Sequence, residues 1–154
     1  MNLFGTYNVT KAVIPHMLKT DWGRVINISS ISGKQPSVTN SAYCASKHGV
    51  IGLTRTLAAE FGVLGITNIT VNAICPGVVN TEMLTGEGMI LDELVRLTGL
   101  DRQAALEKYV LAVPIQKRLI EPQEIAEMVL YLASDKARGI TGQAINVCAG
   151  SIFY

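Results

Sequence analysis

The sequence predicts an α/β fold built on a parallel sheet. Helix-period and strand-period segments alternate along the 154 residues, the pattern expected of successive βα units. The strand-like runs are short and apolar and are separated by Gly-, Ser- or Pro-containing stretches. The polar chemistry falls in such a stretch, Ser29 to Thr39, directly after a strand-like run. Open α/β sheets bind their ligands at the carboxyl ends of strands.

Residues 3–20 carry Val9, Val13 and Met17 at steps of four, with Ile14 and Leu18 beside them, and are expected to be helical. Asp21-Trp22-Gly23 reads as a turn and Arg24 to Ile28 as a short buried strand. Residues 41–63 form a long helix in this reading, with Val50, Leu53, Leu57 and Phe61 as its apolar stripe. Thr67 to Ile74 is the next strand, which Pro76-Gly77 should stop. Residues 81–112 read as two short helices, the second capped by Asp101. Glu121-Pro122 opens a further helix with proline at its first position, whose buried face is Ile125, Met128, Val129 and Leu132. Gln143 to Val147 is the last strand, and there is no repeat, low-complexity tract or linker.

Composition narrows the function. The chain is 49% hydrophobic and only 16% charged, which predicts surplus apolar surface awaiting a cover. A net charge of +1 gives no ground for binding nucleic acid or an anionic membrane. Cys44, Cys75 and Cys148 are odd in number and lack metal-ligand spacing, so free thiols, a reducing compartment and no metal are expected. His16 and His48 have no metal-compatible partner, and Asp92, Glu93 and Asp101 read as solvated helix-end charges. No apolar run reaches the length of a membrane span and no secretory leader is evident, so the cytoplasm is the expected location.

The chemistry-bearing run is Tyr43-Cys44-Ala45-Ser46-Lys47, with Ser30 upstream and Pro76-Gly77 downstream. Side chains at i and i+4 share a helix face, so the phenol and the ammonium stand side by side. A phenol ionises near pH 10 on average, and an opposite charge within about 4–6 Å favours its anion. A serine hydroxyl at a neighbouring strand end can then polarise a carbonyl or steady an alcohol. Alone, Tyr43 would more often be a packed helix-surface aromatic; the constellation turns the balance towards acid–base catalysis.

Asn27-Ile28-Ser29-Ser30, Tyr43-x-x-x-Lys47 and Asn72-Ala73-Ile74-Cys75-Pro76-Gly77-Val78-Val79-Asn80-Thr81 resemble the classical short-chain dehydrogenase/reductase family. The match runs in order from Asn2-Leu3-x-Gly5 to Thr141-Gly142-Gln143. The resemblance implies the C-terminal part of a Rossmann-like doubly wound parallel sheet. It also implies hydride transfer between NAD or NADP and a secondary alcohol or ketone. By the same resemblance Tyr43 is the acid/base, Lys47 its neighbour and a ligand of the nicotinamide ribose, and Ser30 the substrate-oxygen partner. Ser29 should face the other way. Asn2 would hold a water in a proton relay, and Pro76, Gly77, Val79 and Thr81 would bind the nicotinamide carboxamide. Residues 81–112 match the substrate-covering lobe, and helices equivalent to 3–20 and 41–63 pack across a dyad, so a homo-oligomer is expected. Cys148 stands where the family often has aspartate, a departure expected to alter terminal packing or a subunit contact.

No Gly-rich phosphate-binding turn occurs between a strand and a helix. The chain therefore reads as one partial domain, residues 1–154, the catalytic half of a longer dehydrogenase whose nucleotide selector is absent. An unpaired sheet edge would favour tight oligomers or poor solubility. The alternative from another class is a non-catalytic fragment that associates with a full-length relative. A sugar-nucleotide epimerase or dehydratase is disfavoured because no sizeable substrate domain follows the last strand. The enoyl-reductase branch is disfavoured because it spaces its tyrosine and lysine further apart.

Overall fold

The computed structural model describes residues 2–154. In chain order it contains α1 (Asn2–Thr20), β1 (Gly23–Ile28), α2 (Ser41–Val63), β2 (Ile69–Pro76), α3 (Glu82–Thr85) and α4 (Ile90–Thr98). These are followed by α5 (Arg102–Ala105), which runs into a π-helical turn over Leu106–Leu111, then α6 (Pro122–Ala133) and β3 (Ala144–Val147). The sheet has the order β1-β2-β3 and both pairings are parallel. Val25 on β1 registers with Val71, and Cys75 on β2 with Asn146.

The central strand decides the layering. β2 is buried from Ile69 through Cys75, as a parallel strand covered on both faces must be. On one face Val25, Ile69, Val71 and Phe61 pack with Ile14, Met17 and Leu57 from α1 and α2. On the other, Ile74 packs with Leu132, Ile125, Met128 and Val129 of α6 and with Ile26. Helices thus lie on both faces of the parallel sheet, the α/β arrangement expected from the sequence.

Two buried asparagines tie these layers together. Asn27 Nδ2 donates to Thr54 Oγ1 at 2.9 Å, and Thr54 Oγ1 donates to the Val50 carbonyl at 2.8 Å, joining β1 to the middle of α2. Asn72 Nδ2 donates to the Ile140 carbonyl at 2.7 Å and its Oδ1 accepts from the Gln143 amide, fixing the approach to β3. A buried amide left without such partners would be destabilising by about 1–3 kcal/mol.

Several elements differ from the sequence reading. β2 runs two residues beyond Ile74 and through Pro76. β1 ends opposite Ile74, so the missing proline N–H falls on the side β1 has already left, while Gly77 N still donates to the Val147 carbonyl. On α1 the buried polar position is Thr10, and Val9 is exposed; a strict step of four drifts around a helix of about 3.6 residues per turn. Residues 81–112 form three short helices and a π turn rather than two helices. Gly99, at φ +70°, closes α4, and Asp101 caps α5 as expected, accepting from the Ala104 amide. Asp92 is no solvated end charge: it accepts from Gly88 N at 2.7 Å and pairs with Arg102, whose other nitrogen donates to the Thr85 carbonyl. Glu93 pairs with Arg96.

α6 starts with Pro122 behind a reciprocal capping box between Glu121 and Glu124. The Arg118 hydrogen bond, aided by the Glu121 amide, holds Glu124 at a pKa of about 2. The expected buried face of α6 is present. Among the described residues no helix is long and apolar enough to cross a membrane, and no group of three or more His, Cys, Asp or Glu side chains could hold a metal ion.

The turn after β3 holds Ala149 at φ +49°, next to Gly150 at φ +78°. A left-handed conformation disfavours a Cβ by about 1–2 kcal/mol, partly offset by the extra chain entropy of glycine. Ala149→Gly is therefore expected to raise stability by about 0.5–1 kcal/mol, read as a higher urea midpoint with an unchanged denaturant slope.

Candidate active site

The site assembles where the carboxyl end of β1 meets the first two turns of α2. Ser29 is buried; its amide donates to the Ile74 carbonyl at 2.8 Å and its hydroxyl to the Lys47 carbonyl at 2.9 Å. Ser30 caps the short 3-10 turn Ile31–Gly33, its Oγ accepting from the Ser32 amide at 3.1 Å. A side chain on Gly33 would collide with this assembly, since an added Cβ would lie 2.6 Å from Ser29 Oγ and 2.8 Å from the Lys47 carbonyl oxygen. Glycine is therefore required for contact rather than for its backbone angles.

Lys47 Nζ donates to the Ile28 carbonyl at 2.9 Å and lies 5.7 Å from the centroid of the Tyr43 ring, within the range of a cation–π contact. Burial pushes the Lys47 ammonium below its usual pKa, partly countered by Cys75. The Cys75 thiol beneath it is pushed up by burial, an effect reduced by Lys34 and by hydrogen bonds from Ser30 and Ser29. The Tyr43 side chain is half exposed, and its hydroxyl has no hydrogen-bond partner among the described residues.

Asn2 is drawn to the same helix start. Leu3 packs on Gly49, where an added Cβ would be 2.8 Å from Leu3 Cδ2, so α1 and α2 approach closely. Asn2 Nδ2 donates to Ser46 Oγ at 3.4 Å, and Ser46 Oγ donates to the Tyr43 carbonyl at 2.7 Å. Asn2 thus reaches the Tyr43 turn and makes no direct bond to Lys47. A groove of about 490 Å³ lies between these helix starts, lined by Asn2, Phe4, Ala42, Tyr43 and Ser46. A larger cleft of about 570 Å³, bounded by Trp22, Arg24, Asn68 and Arg138, lies at the amino ends of β1 and β2 and shares no residue with this constellation.

Pro76, Gly77, Val79 and Thr81 stand at the carboxyl end of β2, on the same rim of the sheet as Ser30. Gly77 rests on the backbone of Cys148, where a Cβ would be 2.9 Å from Cys148 Cα. Val79 bridges to Ile120, with Ile120 N donating to the Val78 carbonyl and Asn80 N to the Ile120 carbonyl. Thr81 Oγ1 makes only a long 3.5 Å contact with the Val79 carbonyl and precedes α3. Gly33 and the Ser29 hydroxyl are the parts that sequence reasoning missed. Their only signal was a glycine three residues after Ser30, indistinguishable from an ordinary loop glycine.

The donors fit the nicotinamide end of a dinucleotide. Lys47 keeps ammonium hydrogens beyond the one given to Ile28, and the Tyr43 and Thr81 hydroxyls are open to a ligand. No strand–Gly-rich turn–helix unit for a pyrophosphate occurs among the described residues. A parallel sheet with helices on both faces, with the Tyr–Lys pair at its carboxyl rim, is a Rossmann-like α/β arrangement.

A family model described as enoyl-(acyl carrier protein) reductase matches residues 1–151. A putative ketoacyl reductase of Streptomyces coelicolor is 42% identical over 151 residues, covering 97% of this chain and 55% of the relative. The D-beta-hydroxybutyrate dehydrogenase of Rhizobium meliloti is 38% identical, covering 97% and 56%. Among solved structures, an actinorhodin polyketide ketoreductase variant with NADPH superposes with a TM-score of 0.89 at 41% identity, covering 100% of this chain and 57% of that one. Levodione reductase gives 0.81 at 33% identity, covering 97% and 54%. The chain belongs to the classical short-chain dehydrogenase/reductase family, and it spans about half the length of the curated relatives it matches.

The Lys47 environment makes a signed prediction. Its folded pKa is depressed by burial, so the penalty on the charged form is present below that value and relieved as pH rises towards 10.5. Relative to Lys47→Met, the wild-type chain should gain stability as pH rises through the window just below 10.5, measured by urea unfolding at matched pH. A flat difference across that window would contradict the buried-ammonium assignment.

Proposed function

We propose that this chain is the catalytic half of an NAD(P)-dependent oxidoreductase that interconverts secondary alcohols and ketones. The observation that carries the reading is the Lys47 ammonium, bonded to the strand-end carbonyl of Ile28 and set 5.7 Å from the Tyr43 ring, with Ser30 on the adjoining turn. The bound nicotinamide supplies or accepts the hydride. Tyr43 gives its phenolic proton to the carbonyl oxygen in reduction and takes it back in oxidation. Lys47 holds positive charge beside the phenol, favouring the phenolate left behind, and offers its remaining hydrogens to the ribose. The Ser30 hydroxyl hydrogen-bonds the substrate oxygen, and Asn2 completes the polar path at the helix start. Pro76 and Gly77 shape the loop through which Val79 and Thr81 hold the carboxamide.

We assign residues 81–112 as the lobe that covers the substrate within a single partial domain, 1–154. Met83, Met89 and Leu97 are exposed there, and they support a mainly apolar substrate. The names of relatives support a carbonyl reductase: they include ketoacyl and 3-oxoacyl reductases and a D-beta-hydroxybutyrate dehydrogenase. We further propose homo-oligomerisation through α1 and α2, where Phe4 (75% exposed) and Val63 (89%) remain uncovered. Three free cysteines support a reducing, cytoplasmic setting.

A second reading is favoured by one specific feature. The outer edge of β1 has no strand partner among the described residues, which suits a fragment that completes its sheet with a full-length relative.

Calorimetric titration of NADH and NADPH into the purified chain separates the readings. The first expects saturable binding that Lys47→Ala abolishes, with ketone turnover lowered about 10²–10⁴-fold by Tyr43→Phe. A folded chain that binds neither nucleotide supports the second, and addition of a full-length relative should then yield a stable complex.

A further inference from the structure

Outside the acid–base pair, the group that the proposed chemistry does not use but the geometry singles out is the Ser29 hydroxyl. Ser29 is buried, as Ser30 is. Its hydroxyl donates to the main-chain carbonyl of Lys47, 2.9 Å away, and also neighbours the Cys75 thiol. Residues 28 and 29 are thereby joined to Lys47 twice, in opposite senses. Ser29 donates to the Lys47 main chain, and the Lys47 ammonium donates to the Ile28 main chain at 2.9 Å.

We propose that Ser29 is a positioning residue: through the Lys47 carbonyl its hydroxyl sets where the first two turns of α2, bearing Tyr43 and Lys47, stand against the turn bearing Ser30. The inference rests on the acid–base reading of Tyr43 and Lys47 given above, but its geometry is independent of any nucleotide. Three contacts make the hydroxyl decisive rather than incidental. The Ser29 amide is fixed to the sheet through the Ile74 carbonyl at 2.8 Å, so the side chain starts from a rigid strand end. Gly33 closes over the same Lys47 carbonyl, at a distance where even one added carbon would collide with both Ser29 Oγ and the carbonyl. A carbonyl oxygen also has two lone pairs, so Ser29 can bond it without displacing the helical hydrogen bond. Ser29 thus ties the strand end to the helix turn from the strand side, as the Lys47 side chain does from the helix side.

The test reads Lys47 itself. The full 154-residue chain is prepared with ¹³Cε-labelled lysine in a Cys75→Ala background, so that the thiol beneath Lys47 does not titrate. The groups facing the ammonium are then Tyr43 from its own helix and the Ile28 carbonyl, with Lys34 and Arg55 grouped around the former thiol. Lys47→Arg assigns the resonance. In the parent chain Lys47 should titrate below the exposed lysines. Ser29→Ala should shift its resonance and move its midpoint towards theirs, and Ser29→Thr, which keeps the hydroxyl, should restore the parent values. A general loss of stability would not be rescued in this way. If Ser29→Ala does not fold, Ser29→Cys, a similar shape with a weaker donor, is read identically and should fall between parent and exposed lysines. An unchanged Lys47 midpoint in a folded Ser29→Ala or Ser29→Cys chain overturns the proposal. NADPH titrated into the same samples should bind about three- to tenfold more weakly in Ser29→Ala, the order expected for one hydrogen bond. If the parent binds no NADPH at all, the oxidoreductase reading fails while the Lys47 titration still decides the role of Ser29.

Discussion

The close approach of the turn after β1 to the Lys47 carbonyl is the constraint on which the rest of the site depends. Ser30 belongs to a strand end, whereas Tyr43 and Lys47 belong to a helix that begins after the intervening loop. Bringing them to one rim requires the turn backbone to lie directly against the α2 backbone, and Gly33 permits this because it has no Cβ to intrude. Further down the same interface, Asn27 and Thr54 fix the register of α2 on β1 in a fully buried position. The helix is thus held at two heights, by a satisfied polar pair in the core and by main-chain contact at the rim. Tyr43 and Lys47 keep the i, i+4 spacing of one helix face, and the two supports set where that face stands against the turn after β1.

The second wall of the site follows the same logic one strand over. Gly77 lies on the Cys148 backbone, Gly150 packs near Ile115, and Gln116 N donates to the Ala149 carbonyl. The turn after β3 therefore braces both the loop after β2 and the segment that follows the helical lobe. That explains the outcome at Cys148, a position where the sequence departs from the family pattern. Its side chain is buried, with its thiol near the Ile152 carbonyl, so the departure is absorbed in packing of the terminal turn. The lobe has its own brace in Arg102, which joins α5 to α4 through Asp92 and to α3 through the Thr85 carbonyl. Its short helices α3, α4 and α5 are thereby tied to one another.

How much of this was legible in the sequence depends on the range over which each signal acts. Proline at the start of α6, Asp101 as a cap and the Val50–Phe61 stripe are local, and each element formed where its residues indicated. Val9 misled because periodicity says which face is apolar but not how much of it is covered. Strand β2 outran its proline because only the register with β1 and β3 shows that the missing N–H faces no acceptor. The lobe was read with too few breaks, since Gly86, Gly88 and Gly99 interrupt it at points a helical pattern passes over. At the site, the family motifs gave residue identities, while Gly33 and Ser29 were invisible because their importance lies in contacts made across the loop.

Every element that positions Tyr43, Lys47, Ser30 and the loop 76–81 is a neighbour of β1 or β2 and lies within the described residues. The rim that carries these residues is thus held by contacts among the described residues. A dinucleotide also needs its pyrophosphate held, and the charge and backbone donors for that task reside at a helix start after a Gly-rich turn. Ile28, on the edge of β1 that has no strand partner among the described residues, is half exposed. Low charge content and uncovered apolar side chains on α1, α2 and α6, Leu130 among them, are what a surface designed to be covered would show.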